Sequence, residues 1–153
     1  MDPGKLHGGL GACGIADMMR GRGMLRSVLC MLQLAAAVSY CGLIFAFSAR
    51  SDLAPPDLGF RISDKALHAA EYFVFGVLWY GVFRSFGWSF RGWSPGRMTW
   101  VFGALFAASD EIHQAFVPVR QCDFWDWVAD VIGLALAVAA LRGLERLWRG
   151  VSC

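Results

Sequence analysis

Asp64, His68 and Glu71 fall at i, i+4 and i+7, so on a helix they share an arc of roughly 60°, with Tyr72 just beside it. Asp123, Asp126 and Asp130 repeat the spacing further along the chain, and Asp110, His113 and Gln114 share a face with Glu111 at its edge. Carboxylates beside imidazoles can bind cations, relay protons or act as general bases. The pairs His68-x-x-Glu71 and Glu111-x-His113, joined by one Asp, have the ligand types of a Zn, Mn or Fe site, but the spacing alone is a weak metal motif. The sequence therefore assigns no metal and implies no cofactor. Lys65 and Arg120 are the cations placed to meet a phosphate or carboxylate.

These groups lie in a chain built for a bilayer. Of 153 residues, 57% are hydrophobic and only 17% charged, with a mean hydropathy of +0.48. Soluble domains are about 45–50% apolar and about 25% charged. Disorder is excluded for most of the chain, and a net charge of +2 is too balanced for a nucleic-acid binder. The five cysteines are odd in number and include no Cys-x-x-Cys pair, which excludes a disulfide framework and a zinc ribbon.

The expected fold is all-α, a bundle of four transmembrane helices over residues 27–49, 64–84, 97–117 and 124–144. Each approaches the 20 or so residues a span requires. A signal peptide competes for the first, since Arg22 and Arg26 precede it and Ala35-Ala36-Ala37 resembles a cleavage site. The apolar run continues well past those alanines, which favours a span. Residues 1–26 read as a flexible tail, 27–147 as the membrane domain and 148–153 as a short C-terminal tail. The loop joining the last two helices is so short that they must form an antiparallel hairpin.

Ten Lys and Arg fall on the side of the termini and four on the other, which places both termini in the cytoplasm. Gly103/Ala107 and Gly133/Ala137 are small-xxx-small pairs suited to close helix crossings. In this topology Glu71, Asp110 and Asp130 all lie roughly 10 Å below the outer surface. A carboxylate at mid-helix costs about 2.5–3.5 kcal/mol on insertion scales. Three helices carrying that cost at one depth point to a site, although buried ion pairs can also serve only to hold a bundle in register.

At these residues the chain resembles the VanZ-like family of small bacterial membrane proteins. The resemblance covers residues 43–139. It rests on Phe47-Ser48, on Ser63-Asp64-Lys65 followed by His68 and Tyr72, and above all on the block 109–133. There the family usually reads Glu-x-x-Gln-x-x-x-Pro-Gly-Arg, then Asp, then Asn or Asp before an apolar-Gly pair. Glu111, Gln114, Pro118, Arg120, Asp126, Asp130 and Gly133 match, while Val119 replaces the usual Gly. The resemblance implies a multi-pass protein of the bacterial cytoplasmic membrane and lowered susceptibility to teicoplanin-type antibiotics.

Three kinds of function follow. A binding or remodelling module would use Asp64, Lys65, His68, Glu71, Tyr72, Asp110, Glu111, Gln114, Arg120, Asp126 and Asp130 on a lipid headgroup, a lipid-linked wall precursor or a glycopeptide. An intramembrane hydrolase or transferase would draw its base from His68, Glu71, Glu111 or His113, with Ser48 a conceivable nucleophile. A purely structural or partner-binding protein would need neither. A proton path is disfavoured, because the far halves of helices two and four carry no relay groups. The lipid bilayer is the one partner implied by composition, and the oligomeric state is not encoded legibly.

Overall fold

The computed structural model describes residues 12–50, 64–87, 92–118 and 122–151, with side chains from residue 23 onward. They form four helices: α1 (Ala12–Ser48), α2 (Asp64–Ser85), α3 (Pro95–Gln114) and α4 (Phe124–Val151), with no strand among the described residues. α1 begins at Ala12, well inside the stretch expected to be a flexible tail. No proline interrupts residues 12–48, and extending an established helix costs far less than starting one. α4 also continues to Val151, past the expected boundary. Its last turns carry Glu145 and Arg149 at i, i+4, whose charges stand 4.0 Å apart.

The remaining ends follow ordinary capping chemistry. Ser94 caps α3 by accepting the Arg97 amide, with Pro95 at the first helical position. Asp123 caps α4, its Oδ1 accepting the Trp125 amide at 2.8 Å. Gly87 follows the end of α2 at φ 62, a conformation that glycine takes without a Cβ penalty.

α2 is central, packing most extensively on α4 and also on α1 and α3, while α3 bridges α4 and, lightly, α1. α1 and α4 do not meet among the described residues. The buried positions of α4 are Asp126, Ala129, Asp130, Gly133, Leu134, Ala137 and Val138, a single helical stripe. Asp126 and Asp130 therefore lie on the packing face and not on the face turned outward. Gly133 sits so close to α2 that a Cβ there would collide with the Ala69 carbonyl, and one on Gly76 would come within 2.8 Å of the Ala137 methyl. Of the two small-xxx-small pairs, Gly133/Ala137 thus lies at the close approach of α4 to α2, while Gly103 of α3 faces Leu134 of α4. Beyond them Phe75, Trp79 and Phe83 of α2 interleave with Phe102 and Phe106 of α3, with centroids 4.4 Å apart at Trp79–Phe102 and 5.0 Å at Phe75–Phe106.

Gly23–Ser48, Asp64–Ser85 and Phe124–Val151 are long and apolar enough to cross a membrane. α3, with 20 residues that include Arg97, Asp110 and Glu111, falls short of that composition. α1 leaves Leu25, Val28, Leu32, Val38, Leu43 and Phe47 exposed, an apolar surface suited to lipid.

Candidate functional site

The C-terminal ends of α1 and α3 and the N-terminal ends of α2 and α4 converge, and the polar residues converge with them. At the rim, the Lys65 ammonium donates to Asp123 Oδ2 at 2.5 Å and also to Asp126 Oδ1. Lys65 on one side and the Trp125 amide on the other hold the Asp123 carboxyl below the usual range. The Asp123 amide donates to Glu111 Oε2 at 2.9 Å, tying the loop before α4 to the end of α3. Asp123 thus joins α2, α3 and α4. Spacing alone groups it with Asp126 and Asp130 and gives no sign of the link to Glu111.

Below the rim the groups are buried. His68 Nδ1 donates to Asp130 Oδ1 at 3.1 Å, and its Nε2 lies 3.9 Å from Asp126 Oδ2. Ser48, the last residue of α1, donates its hydroxyl to Asp110 Oδ2 at 2.8 Å. The Gln114 amide nitrogen donates to the same oxygen at 3.1 Å. Asp110, Glu111, Gln114 and Asp130 are 2%, 3%, 3% and 0% exposed, so no bulk water replaces a missing partner. Four atoms here are buried without a hydrogen-bond partner among the described residues: Tyr72 Oη, Asp110 Oδ1, Glu111 Oε1 and Asp130 Oδ2. Native proteins rarely leave such groups unsatisfied, since each costs about 1–3 kcal/mol. One potential ligand atom from each of His68, Glu111 and Asp130 lies within 4.8 Å of the others, as do those of Asp64, His68 and Asp126 at the exposed edge.

Other expected members lie elsewhere. Glu71 is half-buried on the side of α2 that meets α1, where the Tyr40 hydroxyl donates to its backbone carbonyl at 3.1 Å. The His113 ring packs on Phe45 of α1, with centroids 5.1 Å apart. Neither joins the His68, Glu111 and Asp130 group, so of the ligand types offered by sequence spacing His68, Glu111 and one Asp come together. Asp64 is exposed at the rim, and Arg120 lies outside the described residues.

The arrangement can do two things chemically. The unpartnered oxygens can accept hydrogen bonds or coordinate a cation. His68, oriented through Nδ1 by Asp130, can use Nε2 as a base.

A helical membrane-type protein with a buried acidic site at one end of its bundle is the class these features define. The sequence pattern of the VanZ/LLP1 family matches residues 24–147, and the chain belongs to that family. No curated protein and no solved structure matches it.

Proposed function

We propose that the chain crosses the bacterial cytoplasmic membrane four times with both termini in the cytoplasm, and that its acidic end opens toward the outer leaflet. There it binds or remodels an envelope molecule: a lipid headgroup, a lipid-linked wall precursor or a lipoglycopeptide. Lowered susceptibility to teicoplanin-type antibiotics is the expected phenotype. In this reading residues 27–147 form the membrane domain, with 1–26 and 148–153 on the cytoplasmic side.

One observation carries the reading: the four unpartnered polar atoms contributed by α2, α3 and α4. Three are carboxylate oxygens and the fourth a hydroxyl, a set that accepts hydrogen bonds from the amines and hydroxyls of such head groups. Lys65, at the mouth, offers a cation for a phosphate once it is released from Asp123 and Asp126. The test is Glu111→Gln. Gln retains an acceptor for the Asp123 amide and removes a buried charge, so the protein should accumulate normally while antibiotic tolerance and co-purified lipid are lost. Full tolerance in an abundant Glu111→Gln protein would refute the binding role.

A second reading, an intramembrane hydrolase or transferase, is favoured by the His68–Asp130 pair alone. Turnover of a lipid-linked substrate that is abolished by His68→Gln, with binding retained, would favour it over simple binding.

A further inference from the structure

We infer that His68, Glu111 and Asp130 form a binding site for one divalent transition-metal ion of the zinc and manganese class. The inference rests on the same unpartnered oxygens as the ligand reading but does not need the envelope molecule to be correctly named. The three residues come from three helices, and one ligand atom of each lies within 4.8 Å of the others. His68 Nδ1 and Asp130 Oδ1 already stand 3.1 Å apart, and the ion would take the place of the proton between them, leaving the imidazole neutral with its N–H at Nε2, on the side of Asp126. Two ligands of one tetrahedral zinc are about 3.3 Å apart, given bonds of about 2.0–2.1 Å. Only Glu111 must close in, and its Oε1 is buried and uncommitted. Asp130 also keeps a buried oxygen free.

Charge favours the same occupant. With a neutral imidazole the three groups carry two negative charges in a place that is 0–3% exposed at both carboxylates. A dication brings that sum to zero without needing a cationic side chain in the core. Imidazole with two carboxylates suits Zn, Mn or Fe better than an all-oxygen calcium cage. Three protein ligands leave a coordination position open, and the Tyr72 hydroxyl is a further buried group without a partner. The open position would accept an oxygen of the head group, most simply a phosphate oxygen.

The rim trio Asp64, His68 and Asp126 is the competing arrangement. It is weaker, because Asp64 is exposed and Asp126 already receives Lys65.

The experiment is a titration of the full-length chain in detergent, with any affinity tag removed and metal stripped by chelation, using Zn²⁺ and Mn²⁺ as probes. Stoichiometry is read by elemental analysis and coupling to the fold by the rise in Tm. One ion per chain is expected. Losing even an outer partner of a metal ligand typically weakens affinity about 10–100-fold, so Glu111→Gln and Asp130→Asn should each cost at least about 100-fold. Asp64→Asn should bind as the wild type does. Wild-type protein that takes up neither ion overturns the site, as does a Glu111→Gln protein with unchanged affinity or an Asp64→Asn protein that loses binding as completely. Should Asp130→Asn fail to fold, Glu111→Gln and the wild type decide the matter. Lipid binding is followed on the same samples. Metal without lipid keeps this site and removes the ligand reading; lipid without metal does the reverse.

Discussion

The two ends of the bundle hold their polar residues in opposite ways. At the end where α2 finishes and α3 begins, Arg84 meets Glu145 at 2.5 Å, Arg142 donates to Ser94 at 2.7 Å, and Ser85 donates to Gln33 at 2.9 Å. The first two sit at the surface and the third is half-buried, beside an open cavity of about 310 Å³ lined by Arg26, Leu29, Cys30, Gln33, Arg84 and Ser85. At the acidic end the carboxylates are inside, and several of their oxygens bond to nothing among the described residues. Exposed pairs are worth about 0–1 kcal/mol and are easily exchanged. Buried polar groups without partners lower stability, and a fold that keeps four of them together has a use for them. That contrast is why the acidic end, and not the arginine end, is the one proposed here as the site.

The largest expected effect tests which end faces which side, and it is all-or-none. Cys122 is exposed just before α4 at the acidic end. A membrane-impermeant maleimide applied to intact cells should label Cys122 and leave Cys153 unlabelled. The reverse pattern would put the site on the cytoplasmic side and remove the outer-leaflet function.

The next prediction compares energies. His68→Leu deprives Asp130 of its partner at a position that is 0% exposed, and breaking a buried pair in this way costs about 3–5 kcal/mol. Arg84→Leu breaks a pair whose arginine is 62% exposed and should cost no more than about 1 kcal/mol. Thermal unfolding in detergent, run on both variants, measures the gap. Equal losses would mean that the contrast between the two ends is not energetic.

Much of the acidic end was legible in the sequence because helical spacing and depth are both arithmetic. Asp126, Asp130 and Gly133 share one stripe, so any helix burying Gly133 against a neighbour also turns those acids inward. What spacing could not supply was the neighbour on each side. α2 touches three helices, so Glu71, rotated roughly 60° from His68, meets α1 while His68 meets α4. His113 keeps the face it shares with Asp110, since both meet α1, through Phe45 and Ser48, and that contact draws it away from His68, Glu111 and Asp130. The role of Asp123 was hidden for a different reason: a backbone amide reaching Glu111 leaves no signature in residue type. α1 starts earlier than the glycines at the edge of its apolar run suggest, because continuing a helix costs far less than starting one.

The smallest expected effect concerns the clasp at the mouth. Lys65 and the Trp125 amide hold the Asp123 carboxyl below its ordinary range. An acid whose pKa is depressed by folding adds stability above its unfolded value, near pH 3.9, and loses it as pH falls through the folded value. Asp123→Asn isolates that contribution, because Asn caps a helix about as well as Asp and can still accept the Trp125 amide. Wild type should therefore be slightly the more stable protein at neutral pH. The two Tm curves should converge as the solution is acidified through the carboxylate range, with no convergence between pH 8 and 6. The difference should be small, since Lys65 and Asp123 are each 42% exposed and salt screens them. A constant offset at every pH would mean that Asp123 acts through its cap alone. Asp126 would then be the partner that the Lys65 ammonium must leave to serve the ligand.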